Sequence, residues 1–246
     1  MTMNSERTAE RVLIVGGSSG MGLALARRLL EEGAHVIIAG RSEERLARAR
    51  QNLPGAAHLG TAVLDIAEER QVAAFFAQSG PLNHIVSTAA DMAGAYQLLP
   101  SLDIAAVRRM LDSKLIGPLL LAKHGAPRLS PGGSITFTSG IAAYRPAPRG
   151  SAVAAANGAL ASLAAALAVE LGPIRVNAVS PGWVDTPIWE TVAGDAKAAT
   201  LEAMAQRLLV GRIGQPKDIA DAIRFLMRNT FVTGTVLHVE GGHRLV

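Results

Sequence analysis

The run RVLIVGGSSGMG, residues 11–22, decides the fold of this chain. An apolar strand, RVLIVGG (11–17), stops on glycines, and MGLALARRLLEEG (21–33) follows with helical spacing and a glycine stop of its own. Gly16, Gly20 and Gly22 stand between them in a G-x-x-x-G-x-G spacing. One glycine permits a sharp turn, another lets a phosphate approach the backbone, and a third lets the helix pack closely on the sheet. A helix that starts here aims unpaired N–H groups at an anion, and Ser18 and Ser19 add hydroxyl donors. Gly16, Ser18, Ser19, Gly20, Met21 and Gly22 are therefore the candidate pyrophosphate cradle of a dinucleotide. Taken alone, the same glycines also read as a plain turn.

Outward from this run the pattern repeats. Strands are expected at 35–40, 56–64, 82–90, 134–139, 174–180 and 235–240, and helices at 43–53, 68–80, 103–126, 151–171 and 217–227. A long connection with a further helix fills 185–210. This alternation predicts an α/β fold, a Rossmann-type doubly wound and mostly parallel sheet with helices on both faces. No composition break, repeat or low-complexity linker interrupts it, so residues 11–246 are expected to form one domain behind a flexible polar tail, 1–10.

Composition narrows the function classes. Of 246 residues 49% are hydrophobic but only 4% aromatic, so Ala, Val, Leu and Ile must fill the core. The absence of cysteine excludes disulfides and thiolate metal sites and agrees with a reducing, cytoplasmic setting. The start, MTMNSERTAERV, shows no apolar leader. The most apolar stretch, AVAAANGALASLAAALAV (152–169), is mostly alanine around Asn157 and reads as a closely packed helix, so no membrane partner is expected. Net charge is +4, but the basic residues sit in small groups interleaved with acids or apolar positions, which argues against nucleic acid. His84, His124, His238 and His243 lack metal-ligand spacing and read as helix-end or surface residues, so no metal is expected.

The second strand ends in AGRSEERL (39–46). A carboxylate at its tip would bind a ribose diol and repel a phosphate. Arg41 and Ser42 stand there instead, which favours NADP(H) over NAD(H) through charge-assisted bonds to a 2′-phosphate. The alternative for Arg41 is a solvated side chain that stacks on adenine. In LDI (64–66), Asp65, followed by Ile66, is a candidate acceptor for the adenine amino group.

Together with VGGSSGMG and LDI, the runs GSITFTSG (133–140), VELGPIRVNAVSPGWVDTP (169–187), GRIGQP (211–216) and FVTGTVLHVEGG (231–242) carry a resemblance to the short-chain dehydrogenase/reductase family over nearly the whole chain. The resemblance implies a seven-stranded parallel sheet, homodimers or homotetramers built on the long helices, and hydride transfer between a nicotinamide cofactor and an alcohol or carbonyl. It also implies cofactor contacts at Pro181, Gly182, Val184 and Thr186, and at Ala89 within STAA (87–90), where the family usually has N-N-A-G.

The same resemblance locates a missing proton relay. The family's tyrosine transfers a proton, a lysine four residues later lowers its pKa and grips the nicotinamide ribose, and a serine and an asparagine support them. Those positions fall here on Val153, Asn157, Gly140 and Lys114, respectively, and the 13-residue interval from 140 to 153 matches the family's spacing. Valine cannot transfer a proton, and asparagine can bond to a ribose hydroxyl but carries no charge. The only tyrosines are Tyr96 and Tyr144. Lys114, Ser139 and Tyr144 are the candidate replacements. Lys114 also reads as an ion-pair partner of Asp112 or Asp91, or as plainly exposed, and Tyr144 also reads as loop packing. Trp183 and Trp189 flank DTPI and suggest an apolar lid over a small-molecule substrate, or else simply pack that segment onto the body. Three functions fit. The first is an NADP(H)-dependent oxidoreductase acting on a small or moderately hydrophobic alcohol or carbonyl through a non-standard site. The second is an inactive NADP(H)-binding sensor, scaffold or partner subunit, and the third a lyase or isomerase.

Overall fold

The computed structural model describes residues 9–246, apart from the Thr191 side chain. Seven strands form one parallel sheet: β1 Arg11–Val15, β2 His35–Gly40, β3 Leu59–Val63, β4 Leu82–Ser87, β5 Leu129–Thr138, β6 Arg175–Pro181 and β7 Val236–Val239. Their spatial order is β3-β2-β1-β4-β5-β6-β7. The chain therefore reverses its direction of winding between β1 and β4, the switch point at which open α/β sheets bind ligands. Register aligns the carboxyl ends across the sheet, with Val15 opposite both Ala39 and Ser87, Ser87 opposite Phe137, and Thr138 opposite Val179.

Both faces of the sheet are buried, and β1 shows why. Val12 and Ile14 point into one layer with helices α1 (Gly20–Glu31), α2 (Glu43–Asn52) and α9 (Pro216–Arg228). Leu13 and Val15 point into the other with α3 (Glu69–Gln78), α5 (Gly117–Gly125) and α6 (Ser151–Glu170). Alternate strand residues feed opposite cores, so the strand is apolar throughout. Arg175 enters the first layer, almost fully buried. Its guanidinium donates to the carbonyls of Leu226 at 2.6 Å and Met227 at 2.5 Å, capping the C-terminal end of α9 with a cation.

Several boundaries differ from the sequence expectation. The expected helix over 103–126 is three pieces: α4 (Ile104–Leu111), a π turn at Asp112–Ile116, and α5. Pro118, in the first turn of α5, has no N–H to return to the Lys114 carbonyl, and the Gly117 N–H reaches back five residues to Asp112. Gly117 is required for close approach, since a β-carbon there would meet Ile66 at 2.7 Å. The third strand starts only at Leu59, after a left-handed Gly55 and a short 3-10 turn. The segment 185–210 holds α7 (Ile188–Ala193) and α8 (Lys197–Ala205).

The expected tail over 1–10 lies outside the described residues up to residue 8. Its last residue is held: the Glu10 carbonyl accepts the His35 N–H at 2.8 Å, and its carboxylate meets Arg228 at 2.9 Å. His84 is not the helix-end or surface residue expected. It lies on β4, between β1 and β5, and its Nδ1 meets the Ser134 hydroxyl at 2.8 Å. His124, by contrast, does sit at a helix end, where it meets Glu69 at 3.0 Å.

Burial pushes the His84 pKa down from 6.5 to about 4. Its stabilising effect is complete above the unfolded value near 6.5 and is lost as pH falls toward 4, amounting to as much as about 3 kcal/mol. Thermal unfolding between about pH 7 and pH 4 should show this slope, and His84→Gln should flatten it. An unchanged slope in the variant would assign the acid sensitivity elsewhere.

Candidate functional site

The site begins where β1 meets α1. Gly16 and Gly20 have left-handed φ values of 84° and 52°. A β-carbon on Gly16 would meet the Thr88 hydroxyl oxygen at 2.6 Å and the Ala89 nitrogen at 2.8 Å. One on Gly22 would collide with the Gly16 carbonyl and with the same Thr88 oxygen. The turn is therefore pressed against the start of the β4 loop. Ser19 occupies the N-cap of α1 without bonding its side chain to the helix, and no acid stands in the first turn. The first-turn N–H groups and the Ser19 hydroxyl are thus free for an anion. Met21 packs on the core beneath. The geometry fits a dinucleotide pyrophosphate.

The neighbouring positions divide by role. Arg41 lies at the tip of β2, more than half exposed, and pairs with Asp91 at 3.0 Å. Ser42 caps α2, its hydroxyl oxygen accepting the Arg45 N–H at 3.2 Å. Asp65 caps the turn after β3, accepting the Ala67 N–H at 3.0 Å. The Ile66 side chain is buried in the core, so only its backbone can face a cofactor. Ala89 packs on the same core beside the glycine turn. Across the cleft, Thr186 lies against Gly20, and Val184 bridges to Gly214.

A cavity of about 670 Å³ adjoins this cradle. Lys114, Ser139, Gly140, Val153 and Asn157 line it, as do Pro181, Gly182, Val184 and Thr186. The structure thus brings together every catalytic position assigned from the sequence except Tyr144. That residue is not among the lining residues; it packs edge-on against His238, ring centroids 4.4 Å apart. The tyrosine that does line the cavity is Tyr96, which no spacing from the relay positions singled out. Tyr96 packs against the cluster of Ala95, Met110, Val153 and Ala156, and burial raises its phenol pKa.

Lys114 sits on the π turn and is almost fully buried. Its ammonium donates to the carbonyls of Thr138 at 3.0 Å and Ser139 at 3.3 Å. No carboxylate pairs with it among the described residues: Asp91 is taken by Arg41, and no ion pair forms to Asp112. The ion-pair and exposed alternatives for Lys114 are both excluded by this arrangement. Three donors serve two carbonyls, which leaves one N–H for the cavity. Burial lowers its pKa from 10.5 to about 8.

Ser139 is committed elsewhere. Its hydroxyl donates to the Asn157 carbonyl at 2.9 Å, so it braces α6 rather than waiting for substrate. Asn157 and Gly140 are complementary in shape. A β-carbon on Gly140 would meet the Asn157 Nδ2 at 2.8 Å, and the Asn157 Oδ1 is buried without a partner. That orphaned acceptor suits a ribose hydroxyl. The two tryptophans both line the cavity: Trp183 and Trp189 stack at 4.4 Å and 20°, with the Trp189 Nε1 donating to the Val184 carbonyl at 2.8 Å.

Three comparisons bear on this geometry. A family profile described as enoyl-(acyl carrier protein) reductase matches residues 15–244. The cis-4-hydroxycyclohexanecarboxylate dehydrogenase of Sinomonas cyclohexanicum is 37% identical over 255 residues, covering 98% of this chain and 99% of that one. Among solved structures, the MalC reductase/Diels-Alderase of Malbranchea aurantiaca superposes with a TM-score of 0.89 at 34% identity, covering 97% of each chain. A small-chain dehydrogenase in complex with NADPH follows with a TM-score of 0.83 at 33% identity, covering 97% of this chain and 100% of that one.

The fit of Asn157 into the space beside Gly140 sets a test. Gly140→Ser should cost about 1–3 kcal/mol by overpacking, and Asn157→Ala in the same chain should return most of it. A double-mutant cycle read by denaturant unfolding measures the coupling; additive effects would show that the two positions are independent.

Proposed function

This chain belongs to the short-chain dehydrogenase/reductase family, and from that premise we propose that it is an NADP(H)-dependent oxidoreductase acting on an alcohol or carbonyl of a moderately hydrophobic small molecule, with Lys114 in place of the usual proton relay. The observation that carries this reading is the buried Lys114 ammonium, which lines the cavity beside a complete phosphate cradle and has no carboxylate partner among the described residues. The nicotinamide, when bound, supplies and accepts the hydride. The glycine turn and the first turn of α1 hold its pyrophosphate, and the Asn157 Oδ1 accepts from its ribose. Arg41, with Ser42, faces the 2′-phosphate, which would share or displace the Asp91 pairing. The NADPH complex of a 33% identical relative supports that preference.

The tryptophan pair gives the substrate an apolar wall. Lys114 polarises the carbonyl oxygen and passes it a proton from Nζ during reduction, then takes one back during oxidation. With a pKa near 8, the donor form is present below that pH and lost above it, so reduction should fall as pH rises through about 8 while oxidation gains. The exposed apolar residues Ile104, Ile116 and Leu119 on and between α4 and α5, with Val169 on α6, support assembly into homodimers or homotetramers. A cytoplasmic setting is proposed from the lack of cysteine.

A second reading has its own observation. Val153 is an apolar plug, 2% exposed, where the family keeps its acid, and one 34% identical relative is described as a reductase/Diels-Alderase. The same cleft can then shape a ring-forming or rearranging reaction, of the lyase or isomerase kind, without hydride transfer.

Absorbance of the reduced nicotinamide with a panel of carbonyl substrates separates these readings. Lys114→Met should lower kcat by about 100-fold or more with NADPH affinity kept. Lys114→Arg, which keeps the charge but cannot release a proton, should also be slow and should lose the fall near pH 8. Loss confined to Tyr96→Phe would move the proton to the phenol, and binding without turnover in the unmodified protein would favour the inactive or non-redox readings. Arg41→Ala should weaken NADP+ by about tenfold and leave NAD+ unchanged; equal losses would overturn the NADP(H) preference.

A further inference from the structure

His243 stands on the turn that follows β7. The imidazole is 7% exposed, lines the cavity and stands 6.4 Å from the Trp183 ring, centroid to centroid. It was expected to be a surface or helix-end histidine. Its Nδ1 is buried and unpartnered among the described residues. Arg145, from the loop after β5, and Arg207, from the end of α8, line the same cavity. Both lie close enough to depress the His243 pKa, after the larger effect of burial.

The charge here is one-sided. Neither guanidinium has a carboxylate partner among the described residues, and no Asp or Glu lines the cavity. One acid does act on His243: Glu240, outside the cavity lining, raises its pKa against the two arginines, but its two oxygens already accept from the Arg244 Nε at 3.3 Å and the Arg244 N–H at 3.1 Å. Arg149, also on the wall, is spent on structure. It holds a left-handed φ of 70° and donates from Nε and Nη2 to the Tyr96 carbonyl at 3.3 and 3.1 Å. Two unpaired guanidiniums and a buried, unpartnered imidazole thus converge beside stacked indoles. Arg145 and Arg207 are exposed parts of the lining, so solvent screens their repulsion, and each offers an arriving oxyanion an uncommitted guanidinium fork.

We propose that Arg145, Arg207 and His243 form an oxyanion subsite, so that the cleft takes a compact apolar body bearing a carboxylate or phosphate monoester head group. This rests on the reading of the cavity as a substrate cleft and names the substrate class; it does not depend on hydride transfer. Guanidinium forks pair with either head group, and Trp183 and Trp189 cover the apolar body.

The chain has two tryptophans, and both line the cavity, so intrinsic fluorescence reports its occupancy directly. Cyclohexanecarboxylate, cyclohexyl phosphate and the uncharged methyl cyclohexanecarboxylate can be titrated against the protein with saturating NADP+, with no turnover required. At least one anion should bind about tenfold or more tighter than the ester, and the tighter of the two identifies the head group. Arg145→Gln with Arg207→Gln should abolish that preference while leaving ester and NADP+ affinities unchanged, and His243→Gln should weaken it on its own. Equal binding of all three probes, or a preference that survives the double arginine change, would overturn the subsite. Because binding is read without chemistry, a protein that turns over no carbonyl but discriminates the anion would sink the oxidoreductase reading and leave the subsite standing.

Discussion

Where the turn from β1 into α1 meets Thr88 there is no room for a β-carbon, and the site is organised around that exclusion. Gly16 and Gly22 both press on the Thr88 hydroxyl, which itself donates to the Val15 carbonyl at 3.2 Å. The contact locks the two strands at the switch point, brings the first turn of α1 to the sheet edge, and leaves its N–H groups facing outward. The remaining site residues come to the same edge on helices and connections rather than on strands. Lys114 reaches it through the π turn, Asn157 through α6, and Thr186 by folding back over Gly20.

The sequence made most of the architecture legible because its signals are local. Strands such as VLIV and helices such as MGLALARRLLEE carry their periods within a dozen residues, and their order dictates a parallel sheet. That the glycine turn adjoins one cleft, and that Lys114, Gly140, Val153 and Asn157 line it together, was also readable, since each is fixed by chain spacing. Three things were not. The π turn arises from a missing proline N–H acting together with Ile66 against Gly117, which are distant in sequence. The inward placement of Tyr96 and the outward placement of Tyr144 depend on loop packing, which no period encodes. His84 and His243 were misjudged because burial of a lone histidine is settled by its strand neighbours or by the return of a terminal turn into the cleft.

Within the site, the positions that the resemblance assigns to a proton relay are each packed or bonded. Val153 completes an apolar cluster with Ala95, Met110 and Ala156, Asn157 fills the space beside Gly140, and Ser139 ties β5 to α6. Lys114 compensates for its burial by donating to two carbonyls at the end of β5. Two residues of the cavity lining keep a buried polar atom without a partner among the described residues: Asn157 at its amide oxygen and His243 at Nδ1.

The Gly140–Asn157–Lys114 arrangement is also mutually constrained. A side chain at 140 runs into the Asn157 amide, and the Asn157 carbonyl holds the Ser139 hydroxyl. The Ser139 carbonyl in turn accepts from Lys114. A single exchange at any of these positions meets neighbours shaped for the present residue, so 140, 157 and 114 are exchanged together more readily than one at a time.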